Sequence, residues 1–202
     1  MDAQKKWGLV AGAGLSNVSG YNVSGASTDF LFALQSAVFT MIPLGNIDAV
    51  IFKPSIGYSP RGANFKNVSL TYLAGNSIGS GNLKRRLDYI QLNMPVNYKM
   101  KWKKVVALVG AGPFAAYAIS GREVRNSRFS QLYASEKIFA PVDFEKQSIS
   151  RFDAGVTAQF TAIFPNNFCM GLHVDLGLTK VNTGGTVSTR NQYGGMYFGY
   201  IF

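Results

Sequence analysis

The sequence predicts an all-β chain: an eight-stranded antiparallel up-and-down transmembrane β-barrel, built as a single domain over residues 1–202. Three observations carry this. Eight segments alternate apolar and polar residues at period two, the strand period. The links between them alternate short and long. The composition suits strands that are apolar on one face only, with 47% hydrophobic residues, 15% charged residues and a mean hydropathy of +0.07. Such a chain is too apolar to be disordered. It also has no run near the roughly 18 uninterrupted apolar residues of a membrane helix.

Taken in order, Lys6 to Ser16 sets Trp7, Leu9, Ala11 and Leu15 against Gly8, Gly12 and Gly14. Asp29 to Thr40 sets Phe30, Phe32, Leu34 and Val38 against Gln35 and small residues, with Ser36 out of place on the apolar face. Ile47 to Tyr58 sets Val50, Phe52, Pro54, Ile56 and Tyr58 against Lys53, Ser55 and Gly57. In Asp88 to Tyr98, Ile90, Leu92, Met94, Val96 and Tyr98 alternate with Tyr89, Gln91, Asn93, Pro95 and Asn97. Val105 to Ile119 is nearly all apolar or small, and its faces stay unassigned. Arg151 to Phe160 opposes Phe152, Ala154, Val156, Ala158 and Phe160 to Arg151, Asp153, Gly155, Thr157 and Gln159. Phe168 to Leu178 opposes an apolar row to Cys169, Gly171, His173, Asp175 and Gly177. Asn191 to Phe202 puts Met196, Phe198, Tyr200 and Phe202 on one face, and Ile201 is an apolar exception on the other.

Alternation alone does not separate a soluble barrel from a membrane barrel. The links do. Ile42–Asn46, Lys99–Lys104 and Pro165–Asn167 are short and rich in turn formers. Asn17–Thr28, Ser59–Leu87, Gly121–Ile149 and Thr179–Arg190 read as long loops. Short turns on one rim and long loops on the other is the outer-membrane pattern, with the turns periplasmic and the loops extracellular. In hydrocarbon every backbone polar group needs an internal partner, so the sheet must close. Trp7, Phe30, Tyr58, Tyr98, Trp102, Phe164, Phe168 and Phe202 lie near segment ends, where interface girdles form. Lys99, Lys101, Lys103 and Lys104 surround Trp102; snorkelling to headgroups and plain solvation both remain open. Met1 to Trp7 has no apolar stretch, which suits a chain whose signal peptide has been removed.

The chain carries 20 Lys and Arg against 10 Asp and Glu, a net charge of +10. The long links hold Arg61, Lys66, Lys84, Arg85, Arg86, Arg122, Arg125, Arg128, Lys137 and Lys146. They read either as a basic loop patch for lipopolysaccharide phosphates or an anionic partner, or as an ordinary solvated surface. No recognition motif accompanies the charge, so nucleic acid is not expected as a partner. On the polar faces, Lys53, Gln91, Arg151, Asp153, Gln159, His173 and Asp175 are expected to form a polar network in the lumen. A histidine beside carboxylates also suits a general base, but a paired structural network accounts better for a lone mid-strand histidine. One cysteine, Cys169, and one histidine exclude an intramolecular disulfide and a Cys/His metal cluster. Gly110-Ala111-Gly112-Pro113-Phe114-Ala115 matches the dinucleotide fingerprint only in form, because its strand context and Pro113 leave no helix N-terminus for a pyrophosphate. No cofactor is expected.

Several segments together resemble the outer-membrane β-barrel domain of Bacteroidetes often labelled porin family. They are Lys53-Pro54-Ser55-Ile56-Gly57-Tyr58-Ser59-Pro60-Arg61-Gly62, Leu87 to Tyr98, Gly110-Ala111-Gly112-Pro113-Phe114, Phe152-Asp153-Ala154-Gly155 and the terminal Gly199-Tyr200-Ile201-Phe202. Gln91 and Asn93 stand where that family often has Glu and Pro. The resemblance implies an eight-stranded barrel in the bacterial outer membrane and no shared catalytic site. It also implies that Phe202 is the terminal aromatic read by the outer-membrane assembly machinery. Eight strands enclose only enough space for side chains to fill. The expectation is therefore a non-enzymatic anchor or platform whose long loops bind an extracellular or periplasmic protein partner. A narrow pore and a barrel-wall enzyme acting on lipid or peptide are the alternatives.

Overall fold

A computed structural model of the chain describes residues 6–21, 27–45, 49–71, 77–129, 136–182 and 188–202. Twelve strands form one antiparallel sheet: β1 (Lys6–Ser19), β2 (Ser27–Asp29), β3 (Leu31–Pro43), β4 (Val50–Phe52), β5 (Ser55–Thr71), β6 (Ser77–Asn93), β7 (Val96–Trp102), β8 (Val105–Phe129), β9 (Glu136–Pro141), β10 (Phe152–Ile163), β11 (Phe168–Gly177) and β12 (Arg190–Ile201). Four pairs, β2 with β3, β4 with β5, β6 with β7 and β9 with β10, are successive parts of one crossing each, so twelve strands make eight crossings.

The breaks have local causes. Proline has no N–H for the ladder, and two of the interruptions fall at Lys53-Pro54 and Met94-Pro95. Each is bridged by a neighbour: Lys53 N donates to Pro95 O at 3.0 Å, and Met94 N donates to Pro113 O at 3.0 Å. The ring closes where β1 pairs β12 from Gly8↔Ile201 to Ser19↔Arg190. At the end of the seam, Phe202 N donates to Trp7 O at 2.8 Å, and the two rings stack at 4.2 Å between centroids.

The apolar faces point away from the barrel axis. In β11, Met170, Leu172, Val174 and Leu176 are all exposed, Leu172 by 55%, while Cys169 and Asp175 are fully buried. The same holds for Phe32, Leu34 and Val38 on β3 and for Met196, Phe198 and Tyr200 on β12. An exposed belt of this size is what hydrocarbon solvates. No helix of the described chain is long and apolar enough to cross a membrane; the crossing elements are strands. The structure also assigns the faces of β8, with Leu108, Phe114, Ala116 and Ala118 inward and Val109, Tyr117 and Ile119 outward.

Two of the expected long loops are corrected. Much of 59–87 and 121–149 is sheet: β5 and β6 have 17 residues each and β8 has 25, well beyond the roughly 9–11 needed to span hydrocarbon. Above the lipid the outward face need no longer be apolar, so the alternation that marks a crossing fades while the ladder continues, although Ala63 and Phe65 still pack inward with Val18 and Leu83. At the other rim the links are tight. Trp102 pairs with Val105 across Lys103 and Lys104, with Lys103 at φ 52°.

Candidate functional site

The lumen is filled in layers. At the short-turn end Phe39, Met41, Ile51, Leu108, Cys169 and Ile201 form a buried apolar plug. The inward Ile201, an exception to alternation, is therefore a packing residue. Above the plug, Lys53 Nζ donates to Thr161 Oγ1 at 3.0 Å and to Tyr197 OH at 3.3 Å, and lies 4.7 Å from the Phe39 ring centroid. Gln159 Nε2 donates to Asn97 Oδ1 at 2.8 Å. His173 stacks on Tyr193 at 5.0 Å, lies 3.4 Å from Gln35 Nε2 through Nδ1, and has Nε2 3.9 Å from Asp175 Oδ2. Glycines make room for these rings. A Cβ on Gly171 would lie 2.5 Å from Tyr197 Cζ.

The centre of the network is Arg61. Its Nη1 donates to Asp153 Oδ2 at 3.1 Å and its Nη2 to Asp175 Oδ2 at 2.8 Å and to Gln91 Oε1 at 2.5 Å, with all three charged side chains fully buried. The guanidinium also lies 4.5 Å from the Phe114 ring centroid. Gln91 Nε2 donates to Asp175 Oδ2 at 3.0 Å, and Asp153 accepts from Thr179 Oγ1 at 2.8 Å and Asn191 Nδ2 at 2.9 Å. The two Nη groups of the planar Arg61 fork reach both carboxylates and Gln91 at once, while its Nε and Asp175 Oδ1 are buried without a hydrogen-bond partner. Gly62 follows at φ 151°, a value that favours glycine, and its N–H donates to the buried Ser16 Oγ at 2.9 Å.

Arg61, expected in the loop patch, is thus a lumen residue. It lies eight positions after Lys53 and keeps the same inward parity along β5. Arg151, expected in the lumen network, is exposed at the rim instead: it precedes β10, donates from Nη1 to Ala118 O at 3.3 Å, and sits 4.0 Å over the Phe144 ring. Arg85 also leaves the patch, pairing through Nε with the buried Glu123 Oε1 at 2.7 Å. Lys84, Arg86 and Arg122 face outward. Arg125, Arg128 and Lys137 lie on strands, but their side chains fall outside the described residues. Asn97, Thr161, Tyr193, Tyr197 and Asn191 were not singled out by the sequence reading, although period two along their strands points each of them inward.

At the other mouth, residues 142–149 fold over the lumen. Val142, Phe144 and Ile149 pack with Val181 on Leu87, Tyr89, Phe114, Ala116 and Ala118. Val142 N donates to Gly121 O at 3.0 Å and Ile149 N to Phe144 O at 2.9 Å. Between plug and cap, one cavity of about 50 Å³ touches Lys53, Thr157, Gln159 and His173. That is space for a few waters at most.

A closed antiparallel ring with its apolar side chains outward is joined by a sequence match: residues 3–182 fit the family described as outer membrane protein beta-barrel domain. The chain belongs to that family. This outer-membrane barrel resides in the bacterial outer membrane. Similar solved structures include Ail, the attachment invasion locus protein of Yersinia pestis, at 12% identity and TM-score 0.45, covering 100% of both chains. OprG from Pseudomonas aeruginosa follows at 10% identity and TM-score 0.45, covering 98% of this chain and 94% of that one. Neisserial surface protein A is similar at 11% identity and TM-score 0.41, covering 97% of each. No curated protein sequence matches this chain.

Proposed function

We propose that this barrel is a non-enzymatic outer-membrane anchor, whose long-strand rim and loops bind a protein partner as an adhesion, scaffold or secretion-accessory protein. The observation that carries the reading is the filled lumen: an apolar plug at one end, residues 142–149 at the other, and between them the Arg61–Asp153–Asp175 triad and a Lys53 hydrogen-bonded to Thr161 and Tyr197. Arg61, Asp153 and Asp175, paired and buried, and the half-buried His173 beside them act as structural polar packing. The short turns face the periplasm and the extended β5, β6 and β8 rise outside. Phe202 is the proposed assembly signal, and the Tyr-Ser-x-x-Gly corner at Tyr58–Gly62 favours the Bacteroidetes branch of the family.

Reconstitution into planar bilayers tests the reading. A silent membrane containing folded barrel is expected. Steady conductance would replace the anchor with a narrow pore. His173-dependent turnover of lipid or peptide would replace it with an enzyme.

A further inference from the structure

The outer wall carries a polar cluster immediately above the aromatic belt. Tyr58, Ile90, Tyr117 and Phe152 form one outward row across β5, β6, β8 and β10. Just beyond it, a bulge opposite Asp88 turns both Ile119 and Ser120 outward. There Asp88 Oδ1 accepts from Tyr58 OH at 2.5 Å and from Arg86 Nε at 3.1 Å, while Oδ2 accepts from Ser120 Oγ at 2.9 Å. Arg86 Nη2 donates to Tyr58 OH at 2.8 Å. Arg86 is thereby held in place with its side chain still 40% exposed.

Arg86 pairs in register with Arg122, and Lys84 is exposed two residues along. Two cations directly opposite each other on one sheet face are destabilising. Among the described residues, three cations stand here against the carboxylate of Asp88. An anion between the two guanidinium groups removes the repulsion, and phosphate oxygens match guanidinium donors in pairs.

Directly below runs a groove of about 690 Å³ on the lipid-facing surface. Its floor is Ala11, Ser36 and Gly57, and Tyr58 and Ile90 are part of its wall. Tyr58 therefore belongs to the groove and to the polar cluster at once. The misplaced Ser36 of the apolar face has a reason in this arrangement: it keeps the floor low.

We propose that this wall binds a phosphorylated glycolipid of the outer leaflet, with its phosphate on Arg86 and Arg122 and an acyl chain along the Ala11–Ser36–Gly57 floor. The proposal shares with the anchor reading only its orientation, long strands outward. A barrel found to conduct leaves it untouched.

The test uses refolded full-length chain in zwitterionic detergent. Three probes are titrated: diphosphoryl lipid A, the same lipid dephosphorylated, and inorganic phosphate. Binding is read by native mass spectrometry, and folding by the migration shift on boiling. Wild type is expected to bind the diphosphoryl form well above the other two. Removing two charge-assisted contacts in R86Q/R122Q should weaken it by about tenfold or more. Ser36→Phe, which fills the floor, should weaken it too, whereas Arg190→Gln, an exposed cation elsewhere on the wall, should not. Should the double variant fail to fold, R122Q alone gives the same reading. Equal binding of the dephosphorylated lipid, equal binding by inorganic phosphate, an unchanged R86Q/R122Q, or an equal loss in R190Q would each overturn the proposal.

Discussion

Arg61 shows what a single side chain does in a lumen too narrow for water to solvate it. Its guanidinium holds Asp153 and Asp175 together, so truncating it strands two buried carboxylates at once. Breaking a buried pair by deleting one partner costs on the order of 3–5 kcal/mol. Arg61→Ala is therefore expected to lower the free energy of unfolding in lipid bilayers by that amount, read as a lower denaturant midpoint. Arg61→Lys should recover only part of it, because a point charge lacks the fork that reaches both carboxylates. An unchanged midpoint for Arg61→Ala would mean the triad is not the lumen's centre. Outward positions answer to lipid instead. Leu172→Arg, in the middle of β11, should cost roughly 2–4 kcal/mol in the same assay. Asp153, Asp175, Gln91 and Lys53 were legible as inward residues because each sits on a clean apolar/polar alternation. Arg61 was not, because the apolar half of its alternation stops at Tyr58, and a basic residue in a Gly- and Asn-rich stretch reads as loop.

At the scale of elements, the crossings were legible and their extensions were not. Lipid imposes a strict sorting on β10, β11 and β12, and their segments carry it openly. The outer half of β8 runs Gly121-Arg122-Glu123-Val124-Arg125, where no apolar face is required and hydropathy loses its period. Residues 142–149 were equally hidden. Val142, Phe144 and Ile149 have no regular spacing, and what buries them is a barrel mouth assembled from residues distant in sequence. Their role is testable. Phe144→Ala should cost about 3–5 kcal/mol as a large-to-small change in a packed cluster. Its bilayer conductance should stay silent, because the turn-end plug is independent of the cap. Conductance appearing in this variant would show that the cap alone seals the lumen.

For the whole molecule, the fold makes a simple physical claim: greasy residues outside, polar ones within, and a ring closed from β1 to β12. Unheated protein in detergent is expected to migrate as a compact band and to shift on boiling. A single unshifted band would contradict the closed ring. The seam between β1 and β12 carries this further. The hydrogen-bonding groups along one side of β1 wait for partners in β12, across the whole length of chain that separates Ser19 from Arg190. Before β12 pairs with β1, the sheet is an open strip whose two bare margins invite pairing with any other chain. Closing the ring is thus the most non-local pairing in the sheet, and the β1 margin stays open to mispairing until β12 meets it.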